Sequence, residues 1–136
     1  YDVYMHLLMM LAARVSERWQ EKDKQPMVDV TRKVIEQMNE PSANVTAIVE
    51  ASFEVMEVCC EVVGNPYLTE ALSNFKPAVS RAYYLSADRY RRGLTQTSRF
   101  FTRLPQAVLD RDVEEAQGVI REFAEHQKLM IQRALS

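Results

Sequence analysis

Few side chains in this sequence are of the kinds that make or break bonds. Its 136 residues include two histidines, His6 and His126, and two cysteines, Cys59 and Cys60. Two imidazoles cannot build a multi-histidine metal site within one chain. Neither histidine stands in a nucleophile–base pattern, so each reads as a surface or packing residue. Neighbouring cysteines on a helix point in different directions and are poorly placed for a disulfide. They read as two small apolar side chains rather than a thiol switch, and a reducing cytoplasm is the expected compartment. No CxxC, GxGxxG, P-loop, GxSxG or HExxH is present. The expectation is a protein without catalytic residues, metal or cofactor.

What positions these side chains is legible from punctuation and period. Apolar residues make up 47% of the chain and charged residues 26%, the balance of one globular domain. Only 3 Gly and 5 Pro occur, too few for a strand-rich fold with many tight turns. No apolar run approaches the roughly 18 residues a membrane span needs. Val3, Leu7, Leu8, Leu11, Val15 and Trp19 predict an amphipathic helix over about 2–21. A charged connector, 21–25, leads to Pro26 and a second helix through Met27, Val30, Val34, Ile35 and Met38, broken at 39–42. A third, mostly apolar helix over about 43–63 belongs in the middle of a bundle. Gly64, Asn65 and Pro66 end it and start a fourth, to about Leu85, with Pro77 expected to kink it. The segment 86–93 reads as a polar connector. A fifth helix over about 97–109 is expected to be bent by Pro105, and Asp112 with Glu115 has capping-box spacing for a last helix. The predicted fold is all-α, an antiparallel bundle of about six helices around a central cavity. The chain opens without Met on an already periodic segment, so a piece of a longer protein is expected.

Three segments together resemble the effector-binding C-terminal domain of FadR-type regulators in the GntR superfamily, the FCD domain. Residues 1–8, YDVYMHLL, are similar to that family's opening YEVRxxLE. Ser52-Phe53-Glu54-Val55-Met56 followed by Gly64-Asn65-Pro66 resembles its DxxFH…GNP, and 110–116, DRDVEEA, its closing GDxEAA. The resemblance implies a 136-residue effector-binding and dimerisation domain, with a winged-helix DNA-binding domain upstream and absent from this chain. In the family a metal commonly sits in the bundle centre, held by an Asp and three His. Those positions fall here on Ser52, Met56, Phe101 and Phe123, and the first-helix Arg and Glu fall on Tyr4 and Leu8. None of these is a usual ligand for a hard or borderline divalent ion.

The apolar set has two readings. It lines a hydrophobic ligand pocket, with Tyr4 and Ser52 offering hydroxyls, or it is a core packed shut. Because fatty-acid-responsive members of the family lack the metal, the resemblance implies an apolar acid or acyl effector. Arg81, one turn from Tyr84 on the fourth helix, matches an Arg of those members and is expected to reach an anionic head group. The expected effector-binding set is therefore Tyr4, Leu8, Ser52, Met56, Arg81, Tyr84, Phe101 and Phe123.

A basic segment remains. Lys76, Arg81, Arg89, Arg91, Arg92, Arg99 and Arg103 face only Asp88 between Ser73 and Leu104, although the chain's net charge is −2. Tyr83, Tyr84, Tyr90, Phe100 and Phe101 are interleaved. The mixture suits single-stranded nucleic acid, the phosphates of an acyl-CoA or the face of the absent domain. A solvated segment whose arginines pair with acidic neighbours is the plainer reading. The leading expectation is a cytoplasmic, homodimeric ligand sensor that touches DNA only through its absent domain and does not enter a membrane. The alternatives are a helical interaction module with a packed core, and a nucleic-acid-binding bundle.

Overall fold

The computed structural model describes residues 1–40 and 44–135 and, among them, contains helices and no strand. The elements are α1 (Asp2–Arg18), α2 (Glu21–Asn39), α3 (Val45–Val63), α4 (Pro66–Leu85), α5 (Ala87–Arg92), α6 (Leu94–Leu109) and α7 (Val113–Leu135). The all-α expectation holds, with seven helices among the described residues rather than about six.

The seventh is α5, in the segment read as a polar connector. Ser86 ends α4 and begins α5: its Oγ donates to the Ala82 carbonyl at 2.7 Å, and its own carbonyl accepts from Tyr90 N–H at 2.9 Å. Burial of Tyr90 then holds the short helix down. The stretch 21–25 is also helical rather than a connector. Gln20 N–H donates to the Asp23 carboxylate at 2.9 Å, which caps α2 six residues before Pro26. Helices α4 and α6 run continuously through Pro77 and Pro105. The expected break at Pro41 and Ser42 and the expected helix start at Ala43 lie outside the described residues; Asn44 Oδ1 caps α3, accepting from Thr46 N–H at 2.8 Å.

Elsewhere the punctuation acts as read. Gly64 takes the left-handed conformation (φ 69°) that a residue without Cβ adopts freely, and its N–H donates to the Cys60 carbonyl. Asn65 Oδ1 accepts from Tyr67 and Leu68 N–H at 3.0 and 3.2 Å. Asp112 Oδ1 accepts from Glu115 N–H at 3.0 Å, while the Glu115 carboxylate pairs with Arg103 instead of reaching back to the cap.

Helix α3 is central, packed against α1, α2, α4 and α5, and it contributes Ile48, Val49 and Phe53 to the main core. A smaller cluster of Met9, Ala12, Ala107, Ala116 and Ile120 lets α1, α6 and α7 approach closely through alanines. The C-terminal end of α1 is tied down by the α6–α7 turn. There Arg111 adopts φ 58° and donates to the carbonyls of Ser16, Glu17 and Trp19 at 3.2, 3.3 and 2.7 Å. Its guanidinium lies 4.3 Å from the Trp19 ring centroid, and Trp19 Nε1–H donates to the Val108 carbonyl at 2.9 Å. Among the described residues no helix is long and apolar enough to cross a membrane.

Candidate functional site

A cavity of about 110 Å³ lies where α1, α3, α6 and α7 converge, closed at one side by α4 and α5. Helical spacing aims its walls. Tyr4, Leu8 and Leu11 project from one face of α1, and Ser52 and Met56 stand one turn apart on α3. Phe100, Phe101 and Leu104 come from α6, and Ile120, Phe123 and Ala124 from α7. The rings shape the space. Phe100 stacks on Phe123 at 4.2 Å and 18° and meets Phe101 edge-on at 4.9 Å.

Six of the eight expected residues, Tyr4, Leu8, Ser52, Met56, Phe101 and Phe123, line this one cavity. The other two do not. Helix α4 turns Tyr83 inward, which leaves Arg81 and Tyr84 exposed. Tyr84 Oη donates to Glu50 at 3.3 Å on the outer surface. An anionic head group inside the cavity therefore finds neither of them.

The family's metal does not fit here. Of the four positions that would hold it, only Ser52 and Met56 carry donor atoms. Ser52 Oγ already donates to the Ile48 carbonyl at 2.8 Å, and the Met56 sulfur receives the Tyr4 hydroxyl at 3.7 Å. A hydroxyl and a thioether are poor partners for a divalent ion. Among the described residues, no group of three or more His, Cys, Asp or Glu is placed to hold a metal.

What the sequence reading left out is a set of tyrosines. Tyr1, Tyr83 and Tyr90 join Tyr4 at one end of the cavity. Tyr1 and Tyr83 share a hydroxyl–hydroxyl hydrogen bond of 2.9 Å, and the Tyr83 and Tyr90 rings lie 5.3 Å apart. The Tyr90 hydroxyl lies near those of Ser52 and Thr97. Burial pushes the Tyr1 and Tyr90 phenols up to about 12 and those of Tyr4 and Tyr83 further the same way, so all four stay neutral at ordinary pH. A signal for them exists in the sequence. Tyr83, Tyr90, Thr97, Phe101, Leu104 and Val108 recur at intervals of seven, seven, four, three and four, a stripe beneath the arginines that is buried except at the half-buried Leu104.

Among the described residues no charged side chain lines the cavity. Two cations outside its walls are already engaged. Lys76 lies 5.3 Å over the Phe53 ring and pairs with Glu50 and Glu57, and Arg103 pairs with Glu115 and Glu122. Burying a lone carboxylate in such a site costs several kcal/mol more than burying a neutral hydroxyl that keeps a hydrogen bond, ~5 kcal/mol or beyond.

The remaining candidates are placed as follows. His6 Nδ1 lies 2.8 Å from the Asp2 carbonyl oxygen on the surface. His126 is half-buried beside Gly93, with Nδ1 facing no hydrogen-bond partner among the described residues. Burial raises the Cys59 thiol to about 12 and the Cys60 thiol in the same direction, although Cys59 keeps some exposure as a residue, so neither is a ready thiolate. The basic segment separates into two faces: Tyr83, Tyr90 and Phe101 are buried while Arg81, Arg89, Arg91 and Arg99 are exposed. Of the interleaved aromatics only Tyr84 is exposed, and it is bonded to Glu50, so no row of rings is offered for stacking bases.

No curated protein matches the chain. The family model of the FCD domain, the C-terminal effector-binding domain of GntR-family regulators and a regulatory rather than catalytic family, matches residues 1–126, and the chain belongs to that family.

Proposed function

We propose that the chain is the ligand-sensing and dimerising domain of a FadR-type GntR regulator, cytoplasmic, with a winged-helix domain upstream whose DNA binding it controls. The observation that carries this reading is the central cavity, on which six helices converge and into which six of the family's site positions point. A guest there touches α1, α3, α4, α5, α6 and α7 together, so it senses their relative positions. Control requires the guest to bind two helix arrangements unequally, by about 1–3 kcal/mol.

The effector class is small and largely apolar, with an apolar acid or acyl compound as the family-based starting point. The space sets a scale. A dry cavity of about 150 Å³ takes one benzene, so a long acyl chain enters this one only by parting the helices. Native mass spectrometry of the freshly purified chain, followed by denaturing extraction, tests the reading. A dimer carrying a small organic molecule supports it. A bare chain whose melting temperature ignores every apolar ligand, with or without the cavity-filling Met56→Trp, overturns it in favour of a packed interaction module. Equal operator binding by the empty and occupied full-length protein overturns the allosteric step.

A further inference from the structure

Resting on the sensor reading but departing from the apolar acid of the family-based starting point, we infer that this cavity selects an uncharged effector, a ring or short chain bearing one oxygen acceptor, seated with that oxygen at the Tyr1–Tyr83 hydroxyl pair, and that it refuses free carboxylates.

The first argument is charge. Among the described residues the lining is free of Lys, Arg, His, Asp and Glu side chains. Of the cations outside its walls, Lys76 and Arg103 each hold two carboxylates already. Arg99 and Arg103 line an adjoining groove, which shares Phe100 and Phe123 with the cavity, and the stacked pair is the wall between them. A carboxylate inside that wall loses its water and gains no counter-charge, whereas a neutral oxygen loses much less.

The second argument is a count of hydroxyl hydrogens. Tyr1 and Tyr83 bring two O–H donors to one shared hydrogen bond of 2.9 Å, so one hydrogen is left for a third group. The Tyr4 hydroxyl spends its hydrogen on the Met56 thioether at 3.7 Å, a weak acceptor that an oxygen would replace with profit. Ser52 is already committed to the Ile48 carbonyl. The tyrosine end therefore has donors to spare, which suits a carbonyl, ether or hydroxyl oxygen. The third argument is size. About 110 Å³ is less than the ~150 Å³ that takes one benzene, so a six-carbon ring or chain is the upper limit and enters with a small adjustment of the walls.

Calorimetric titration of the full chain with matched probes tests this. Benzyl alcohol and hexanol are the neutral members, benzoate and hexanoate their acids, and toluene reports the apolar cavity alone. The expected result is about tenfold or greater preference for each alcohol over its acid. Tyr83→Phe should weaken benzyl alcohol about five- to tenfold and leave toluene unchanged. An acid that binds as well as its alcohol overturns the inference but leaves the cavity a sensor; if Arg99→Gln then abolishes the acid's binding, its carboxylate sits in the adjoining groove. Alcohol binding that is indifferent to Tyr83→Phe overturns the seating at the hydroxyl pair. Failure of every probe, toluene included, overturns the sensor reading itself.

Discussion

Helix α1 is fastened differently at its two ends. Its C-terminal end is held by directional bonds: Arg111 reaches three main-chain carbonyls there, covers the Trp19 ring, and the indole N–H is committed to Val108. A cation near the last turn also complements the helix dipole. This contact sustains Arg111 at φ 58°, a conformation that costs a non-glycine residue about 1 kcal/mol. The N-terminal end instead rests chiefly on rings and phenols, with Tyr1 edge-on to Tyr4 and Tyr4 tilted against Phe75, both at 5.7 Å, and with one solvent-exposed ion pair, Asp2–Lys128, at its rim. Ring contacts tolerate sliding in a way that three aligned carbonyl bonds do not. The empty space lies at the tolerant end. A helix anchored at one end and adjustable at the other is suited to report what enters beside it.

Four measurements break or sharpen this contrast. The largest effect is expected from Trp19→Ala, which removes the ring under Arg111 and the bond to Val108; the half-buried site places its cost at about 3 kcal/mol in denaturant unfolding. Arg111→Ala should cost about 2 kcal/mol and Arg111→Gly about 1 kcal/mol less, since glycine accepts the positive φ. Equal costs for the two would mean that the conformation carries no strain. Tyr83→Phe should cost about 1 kcal/mol or less, because a single hydroxyl pair is lost among intact ring contacts. A loss as large as that at Trp19 would erase the difference between the ends.

The smallest effect at neutral pH is titration. The Tyr1 and Tyr90 phenols stand at about 12 in the fold against about 10 when unfolded, so the folded state holds its protons longer. Their contribution is fully present below pH ~10 and is lost as pH rises through about 12. In a Tyr67→Phe, Tyr84→Phe background, which removes the two exposed phenols, tyrosinate absorbance reads the cavity end, and the fluorescence of Trp19, the single tryptophan, reads the latch. Absorbance should change first. A simultaneous change would show the two ends to be one cooperative unit.

Much of this was legible beforehand because it depends on local rules. Asn65 and Asp112 cap helices wherever the chain is put, and Gly64 tolerates its backbone in any context. The six cavity positions followed from family register laid onto helical spacing. What stayed hidden depends on contacts distant in sequence. The tyrosine end was obscured because Tyr83 and Tyr90 are embedded among arginines, and composition averaged over that segment reads as a charged surface. Only tertiary packing separates the inward stripe from the outward charges. Arg81 and Tyr84 failed as cavity residues for the same reason: once Tyr83 is turned inward, its neighbour and the residue two before it face out. The start of α2 was missed because Pro26 looks like a first-turn signal, while the cap that operates is the bond from Gln20 to Asp23.

The Arg111 latch also bears on the order in which the chain assembles. Its bond to the Ser16 carbonyl joins residues 95 apart in sequence, and Lys128 reaches Asp2 across 126. Helices α2 and α3, by contrast, are sequence neighbours packed on each other. Closing so long a loop costs entropy before the latch returns any energy. The α2–α3 hairpin is therefore the natural early structure, and the docking of α1 onto α7 the late one, so weakening the latch should hasten unfolding far more than it slows folding.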